Sequence, residues 1–388
     1  MPGSPPRAAA AESLTPASPS EPIIAVGIAH RVPKITVRPE GRFSVIDETT
    51  GEMKRLERGR AYTVEADEGE RLILGPFLFF GPTRLLPGRP EEYVLIGERK
   101  YRGNLVFRPN KDETITVIDE LGLEEYLYGV LPTEMSPEWP LEALKAQAVV
   151  ARTFALNNLG KYSSSGYDLT DDSRSQIYTG ITIESVRVRR AVKETAGQVI
   201  YWRGKRLPVH FHSCCGGRTT DPASVWGPLR TADAGERGAA ESPRPLRGVR
   251  DRYCQDTPHY GWTAYFRKDD MLRALQRGGH NVATLTAIKP GRRTSSGYLR
   301  YLRLKLDGAW RRVAANDLRM WLGPAELKST RIRRVTRRRK GFEFAGRGYG
   351  HGVGLCQWGA RVQAERGGGY RDILGFYFPG AEIGPRER

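Results

Sequence analysis

The first part of the chain alternates apolar and polar positions in short runs. Residues 35–37, 62–65 and 105–107 are such runs, rich in Val, Ile, Thr and aromatic side chains and separated by turns that contain Gly, Pro and Asp. A period of two predicts strands that each have one buried face. We therefore expect a β-rich region over residues 23–118.

A helical period replaces this alternation after residue 119. One set of apolar residues follows the spacing i, i+3, i+4, i+7: Leu123, Tyr126, Leu127 and Val130. This spacing predicts an amphipathic helix that ends near Gly129, followed by a turn that contains Glu134. A longer helix is predicted from Pro140, because the N–H that proline lacks is not needed at the first helical position. Its packed stripe comprises Leu141, Leu144, Ala148, Ala151 and Ala155.

Beyond residue 181 the pattern mixes strands and turns. Residues 199–202 and 209–212 flank the turn at 203–206, which predicts a hairpin. Further along, Leu302, Leu304 and Leu306 alternate with polar residues and predict a half-buried strand. We therefore expect a protein of the α+β class.

Composition adds a strong positive charge. The 388 residues include 62 Lys and Arg against 44 Asp and Glu, which gives a net charge of +18. Such a balance suits an anionic partner, although genome composition alone would also produce it. No helix-turn-helix, zinc-finger or RNA-binding pattern accompanies the charge, so we expect no nucleic-acid partner. We also expect no transmembrane segment, since no run approaches roughly 18 apolar residues.

The beginning of the chain has a different composition. Residues 1–22 are rich in Pro, Ala and Ser and lack an apolar run after basic residues. This composition predicts a disordered tail rather than a signal peptide.

Glu134 is the strongest candidate for chemistry. It lies in a proline-bounded segment, Leu131-Pro132-Thr133-Glu134-Met135-Ser136-Pro137-Glu138-Trp139-Pro140. A carboxyl held among Leu131, Met135 and Trp139 would lose hydration, which raises its pKa and suits it to general acid catalysis. The alternative is a glutamate that only caps or pairs at a helix junction.

Three further segments contain candidate binding residues. They are residues 168–180, which end in Gln176-Ile177-Tyr178-Thr179-Gly180, then His210-Phe211-His212-Ser213-Cys214-Cys215-Gly216-Gly217-Arg218-Thr219, and last Gly346-Arg347-Gly348-Tyr349-Gly350-His351-Gly352-Val353-Gly354-Leu355-Cys356-Gln357-Trp358-Gly359-Ala360. The glycines of the last segment recur with a period of two. This period allows a backbone or a ligand to approach closely and does not match a phosphate-binding loop.

Together with residues 123–153, these segments resemble the signature of the SpoIID/LytB family of bacterial cell-wall proteins, and they occur in the family's order. The resemblance implies a catalytic core over residues 119–388 and a lytic transglycosylase that cleaves peptidoglycan glycan strands stripped of stem peptides. Glu134 would be the single acid and base, and Asp171 or Asp172 could supply a second carboxylate only if they fold nearby. The implied location is the cell envelope, the periplasm or the extracellular space.

The resemblance also implies the surroundings of Glu134 and an alternative function. The residues implied for substrate binding or support are Lys145, Gln147, Arg152, Gln176, Tyr178, Ser213, His351 and Gln357. Cys356 replaces the serine that is common at its position. Some relatives enhance a cell-wall amidase, so the alternative is a non-catalytic wall-binding protein with an amidase as its partner.

No cofactor is expected. Some family members carry a His/Cys zinc cluster where this chain has Thr170, Arg174 and Ser175. A weaker alternative is a zinc site formed by His210, His212, Cys215 and Cys254, because histidines and cysteines are common zinc ligands. For the cysteines a disulfide, a metal site and buried thiols all remain open.

Overall fold

The computed structural model describes residues 21–227 and 242–386. The tail predicted over residues 1–22 lies outside these ranges except for its last two residues. The described part of the chain combines several sheets with eight α-helices, which confirms the α+β class.

The strands of the described ranges are numbered in chain order. They are β1 Ile23–Val32, β2 Lys34–Pro39, β3 Phe43–Asp47, β4 Met53–Leu56, β5 Tyr62–Asp67, β6 Arg71–Leu74, β7 Phe77–Phe79, β8 Thr83–Pro87, β9 Val94–Ile96, β10 Arg99–Tyr101, β11 Asn104–Pro109, β12 Ile115–Gly122, β13 Leu169–Thr170, β14 Gln198–Trp202, β15 Lys205–Arg206, β16 Phe211–His212, β17 Gly261–Arg267, β18 Leu285–Pro290, β19 Tyr301–Leu306, β20 Ala309–Ala314, β21 Ile332–Arg338, β22 Gly341–Arg347, β23 Leu355–Cys356 and β24 Glu382–Pro385. The helices are α1 Leu123–Glu134, α2 Leu141–Asn157, α3 Val186–Glu194, α4 Ala223–Trp226, α5 Lys268–Arg277, α6 Ala315–Leu322, α7 Gln357–Glu365 and α8 Tyr370–Tyr377.

Two sheets contain all the strands of the region predicted to be β-rich. One has the order β13-β1-β12-β11-β8-β3-β4 and the other the order β10-β9-β2-β5-β6-β7. The three predicted runs lie in β2, β5 and β11, which confirms them as strands. Buried and more exposed positions alternate in β2 and β5, whereas Leu105, Val106 and Phe107 of β11 are all buried, so this third run lacks the exposed face that was predicted.

One hydrophobic cluster joins these sheets to the helices that follow. It includes Val37 and Val117 from the two sheets, Leu127 from α1 and Ala148 from α2. The predicted boundary at residue 118 falls inside β12, which leads directly into α1. The position of the first helix is therefore set by packing against the sheets.

The prediction that the first helix ends near Gly129 is wrong. Helix α1 continues to Glu134 with Pro132 inside its last turn. A proline there removes the hydrogen bond to the carbonyl of Tyr128. The turn is closed beyond it by the Met135 N–H, which donates to the Leu131 carbonyl at 2.9 Å, so Glu134 belongs to a regular helix rather than a turn.

The predicted hairpin is only half right. Strand β14 pairs with β15, which is formed by the last two residues of the predicted turn, whereas β16 in the predicted second strand pairs in parallel with β23, far away in the chain. Pro208 separates the two segments, and proline lacks the N–H that a continuing ladder requires. The half-buried strand predicted around Leu304 is confirmed as β19.

The stripe predicted on the second helix is confirmed at its four inner positions, Leu144, Ala148, Ala151 and Ala155, which are fully buried, and Leu141 at the helix start is partly exposed. Pro140 lies one position earlier than predicted, as the residue that precedes the helix. The small alanine side chains allow the neighbouring elements to pack closely against α2.

We expect Ala148→Phe to destabilise the protein by about 1–3 kcal/mol or more, because the larger side chain overpacks a site with no exposed surface. The free energy of unfolding in urea measures the loss. Ala309→Phe on the exposed face of β20 provides the control and should change stability little. Equal stability of Ala148→Phe and the wild type would contradict this packing.

None of the helices within residues 21–227 and 242–386 combines the length and apolar character that crossing a bilayer requires.

Candidate active site

An open cleft of about 720 Å³ contains Glu134. Its lining comes from distant parts of the chain: α1, the loop at residues 173–177, the segment 210–213, α6 and the segment 349–357. The parallel pairing of β16 with β23 places the segments 210–213 and 349–357 side by side. The cleft therefore unites all the candidate segments of the sequence.

Glu134 is held in conditions that favour its neutral form. Burial raises the pKa of its carboxyl from 4.5 to about 7. The N–H of Ile177, which donates to Oε1 at 3.4 Å, acts in the opposite direction. The amide of Gln357 faces the carboxyl, without completing a hydrogen bond of good geometry, and also lowers the pKa. At neutral pH both the protonated and the deprotonated form of this carboxyl are therefore populated.

Three histidines stand beside this carboxyl in the cleft. The ring centroid of His351 lies 5.8 Å from that of His210 and 5.5 Å from that of His212. Burial lowers the pKa of His210 and of His212 to about 4, so these rings are neutral at physiological pH. His212 is bonded through Nδ1 to the Val353 carbonyl at 3.0 Å, whereas its Nε2 has no protein partner in the described ranges.

The glycines that recur at every second position allow two backbone segments to approach closely. A Cβ at Gly350 would lie 2.7 Å from the His212 Cβ, and one at Gly354 would collide with the His210 carbonyl. Both glycines also have positive φ angles, of 111° and 73°, that side-chain-bearing residues rarely adopt. These glycines therefore allow the segment with His351 to lie directly against the segment with His210 and His212.

Three of the predicted supporting residues do line the cleft. Ser213, His351 and Gln357 are among its lining residues. Gln357 is the first residue of α7 and follows β23 directly, which explains how a residue so distant in sequence reaches Glu134.

The other predicted supporting residues lie outside the cleft lining. Arg152 is fully buried and donates to both carboxylate oxygens of Glu124, at 2.8 and 2.5 Å. Lys145 forms ion pairs with Glu142 at 2.7 Å and Glu194 at 2.6 Å. These cations are therefore paired with acidic side chains around α2 and are not among the residues that line the cleft.

Three of the predicted supporting residues, Gln147, Gln176 and Tyr178, are buried outside the cleft lining. The Tyr178 hydroxyl donates to the Asp119 carboxyl at 2.7 Å, and the Tyr126 hydroxyl bonds to the Gln176 amide at 3.3 Å. Gln147 is fully buried, and its amide has no hydrogen-bond partner within the described ranges. Gln176 and Tyr178 thus hold the loop that donates the Ile177 N–H and do not touch the cleft.

The two aspartates considered as a second carboxylate are engaged elsewhere. Asp171 pairs with Arg99 at 3.1 Å, and Asp172 pairs with Arg174 at 2.8 Å. Neither is among the lining residues of the cleft. Among the described lining residues, Glu134 is the single carboxyl.

Sequence reasoning missed the aromatic side chains of the cleft. Trp226 is 46% exposed, and its ring centroid lies 4.7 Å from that of His210 and 5.0 Å from that of His351. Phe154, Phe211 and Tyr349 also line the cleft. Trp226 lies in a single turn, α4, so no periodicity could have identified it. An exposed ring beside polar groups offers an apolar face to a ligand.

The residues considered for zinc separate into two groups. His210 and His212 line the cleft, whereas Cys215 and Cys254 lie in a buried cluster with Cys356 and Asp251. Among the described residues, the single group whose ligand atoms are close enough to share a metal ion contains no histidine.

The protein thus combines an α+β fold with one carboxyl of raised pKa, which faces a cleft lined by distant parts of the chain. Residues 111–202 match the family model described as stage II sporulation protein, and residues 246–354 match a domain of unknown function, DUF8618. The chain belongs to the SpoIID/LytB family.

Several curated proteins are similar to most of this chain. An uncharacterized protein of Brachyspira hyodysenteriae is 32% identical over 289 residues, which cover 73% of this chain and 72% of that protein. The amidase enhancer of Bacillus subtilis is 27% identical over 66% of this chain and 40% of its own length. Stage II sporulation protein D of Bacillus amyloliquefaciens is 27% identical over 69% of this chain and 75% of its own length.

Proposed function

We propose that this protein is a peptidoglycan lytic transglycosylase that cleaves denuded glycan strands with Glu134 as its only acid and base. The observation that supports this most is the pKa of about 7 of a carboxyl that faces an open cleft. Membership of the family indicates a role related to the cell wall, and the protein acts in the envelope on this proposal.

The reaction needs one group that gives and then takes a proton. Neutral Glu134 donates its proton to the glycosidic oxygen, so the bond between that oxygen and C1 of N-acetylmuramic acid breaks and N-acetylglucosamine leaves as an alcohol. The Glu134 carboxylate then accepts the proton of the sugar's own 6-hydroxyl, whose oxygen bonds to C1. The product ends in a 1,6-anhydro sugar, and the carboxyl is neutral again.

The carboxyl content of the cleft favours this reaction over hydrolysis. Ordinary glycosidases use two carboxyls about 5–9.5 Å apart, one of which acts as the nucleophile or activates water. The described cleft lining provides Glu134 alone. A reaction in which the substrate supplies its own nucleophile requires no second carboxyl.

The cations of the cleft support strands without stem peptides as the substrate. Lys161 and Arg174 line the cleft on the side of the Ile177 loop, and Arg174 is also paired with Asp172 at 2.8 Å. Removal of a stem peptide leaves a free lactyl carboxylate on each N-acetylmuramic acid, and a carboxylate is the group that such cations attract. The exposed ring of Trp226 would pack against a sugar face.

The mass of the product tests the proposal. Wild-type protein incubated with denuded glycan strands should release fragments that end in 1,6-anhydro-N-acetylmuramic acid. Fragments heavier by one water molecule would identify a hydrolase. Absence of any fragment, together with faster cleavage of intact wall by an added amidase, would favour the enhancer function that the name of the Bacillus subtilis relative suggests.

We expect kcat/KM to fall as the pH rises through about 7, because the first step needs the protonated form of Glu134. A pH–rate profile on denuded glycan measures this limb. Folding also makes the stability of the protein depend on pH, because it raises the pKa of Glu134 above its ordinary value of 4.5. The stabilisation from this carboxyl is present in full below about pH 4.5 and is lost as the pH rises through about 7.

The stability part of this prediction has its own control. Glu134→Gln removes the titrating group, so the melting temperature of the wild type should fall relative to that of the variant between pH 5 and pH 8. A constant difference across this range would contradict the raised pKa, whatever the rate profile shows.

A further inference from the structure

All four cysteines of the chain meet in one place beneath the cleft. Cys214 and Cys215 follow β16, Cys254 lies in the loop before β17, and Cys356 ends β23. Each is 1% exposed or less, and none of them forms a disulfide. The proposed transglycosylase reaction uses none of these thiols.

The separations of the ligand atoms suit a single tetrahedral ion. The sulfurs of Cys215 and Cys254 are 3.5 Å apart, and the Cys215 sulfur lies 3.2 Å from Asp251 Oδ2. The ligand atoms of Cys215, Asp251, Cys254 and Cys356 all lie within 4.8 Å of one another. Zinc–sulfur bonds of about 2.3 Å place tetrahedral sulfurs about 3.8 Å apart.

The fourth thiol belongs to the same cluster. The Cys214 thiol contacts those of Cys254 and Cys356, and the three other thiols all interact with the sulfur of Cys254. The Cys254 sulfur therefore lies at the centre of the four thiols. A thiolate is the form that binds a metal.

An outer shell of hydrogen bonds fixes these groups in place. The Cys215 N–H donates to the Cys356 sulfur at 3.3 Å. Asp251 accepts from the Tyr377 hydroxyl at 3.0 Å and from the Tyr253 N–H at 2.8 Å. Partners of this kind orient the ligands of metal sites.

We propose that the thiolates of Cys215, Cys254 and Cys356 bind one Zn²⁺ ion, with Cys214 or Asp251 as the fourth ligand. Thiolates select zinc, copper(I) and iron, and the small separations admit one ion rather than an iron–sulfur cluster. Each bound thiol releases its proton as the metal enters. This site keeps Cys215 and Cys254 of the zinc site considered from the sequence. Cys356 and the fourth ligand take the places of His210 and His212.

The ion would connect the two segments that build the cleft floor. Cys215 follows His212 and Ser213 closely, and Cys356 immediately precedes Gln357. Between these segments the β16–β23 ladder is only two residues long in each strand. The metal would therefore fix the position of Gln357 and His212 relative to each other without contacting the reacting atoms. This inference is independent of the proposed reaction.

Metal analysis of the full chain, purified under reducing conditions without chelators, tests the inference. We expect one zinc per chain, negligible iron and copper, and an X-ray absorption spectrum with zinc–sulfur distances of about 2.3 Å. Four sulfurs per zinc would identify Cys214 as the fourth ligand, and three sulfurs with one oxygen would identify Asp251. Metal-free protein, a mass lower by two hydrogens from a disulfide, or iron in place of zinc would each overturn the inference.

Variants provide the matched comparison. Cys254→Ser and Cys356→Ser should lose the zinc, whereas His210→Ala and His212→Ala should keep one equivalent. Asp251→Asn should weaken zinc binding about 10- to 100-fold, even if Asp251 only holds a ligand by a hydrogen bond and does not bind the zinc itself. Zinc retained by the double cysteine variant would overturn the inference.

A measurement on the wild type covers the case in which the cysteine variants do not fold. Slow removal of the metal by a strong chelator should lower the melting temperature, and one equivalent of zinc should restore it. An unchanged melting temperature after complete removal would also overturn the inference.

Discussion

Glu134→Gln should fold, bind denuded glycan and lose about 10²- to 10⁴-fold in turnover, which is the usual contribution of acid–base assistance. Glutamine keeps the size of the side chain and can still accept the hydrogen bond from the Ile177 N–H. It can neither donate nor accept a transferable proton. Initial rates of release of anhydro fragments, together with a direct binding measurement, separate the loss of chemistry from a loss of affinity.

Glu138→Gln is the control for this result. Glu138 lies four residues further along the same segment but is exposed, and it is not among the residues of the cleft lining. It should therefore retain full turnover. A Glu134→Gln protein with wild-type turnover would exclude Glu134 as the acid, and loss of glycan binding would instead place the residue in substrate recognition.

Glu124→Gln should lower the free energy of unfolding by about 3–5 kcal/mol, because it leaves the guanidinium of Arg152 buried without a charged partner. Arg152 has no exposed surface and holds Glu124 through two hydrogen bonds. Its remaining bonds go to the carbonyls of Gln198 and Val192. Unfolding in urea, followed by circular dichroism, gives the change.

The exposed pair formed by Arg361 and Glu365 provides the matched control. These residues are four apart on α7, with 2.7 Å between their charged atoms. Glu365→Gln should cost only about 0.3–0.5 kcal/mol, since water already solvates both groups. If Glu124→Gln cost no more than this control, the buried ion pair would not anchor α1 to α2.

The local patterns of the sequence were sufficient for most of the elements. The alternation in β2, β5 and β19 and the alanine stripe of α2 each reflect which side of a single element is buried. The sequence of that element alone is enough to show this. The end of the first helix was predicted too early because a helix can accept a proline, here Pro132, in its last turn when packing holds the turn closed. The second strand of the hairpin was misjudged because β16 finds its partner more than 140 residues away.

The site divides in a similar way. Glu134, Ser213, His351 and Gln357 could be predicted because each lies in a segment that resembles a motif of the family. Trp226 could not be predicted, since nothing in its own turn marks it. From the sequence, Arg152 was a candidate for binding or supporting the substrate. The folded chain shows that its guanidinium forms an ion pair with Glu124.

By itself, the sequence determined the α+β class, the family and the carboxyl on which the chemistry is expected to depend. These properties follow from residue types and short spacings, which do not change when the chain folds. The tertiary structure alone decided the pKa of Glu134, the single carboxyl of the described cleft lining and the meeting of four cysteines from three segments. Each of these depends on the distances between residues that are far apart in the chain, and such distances are fixed only when the whole core has packed.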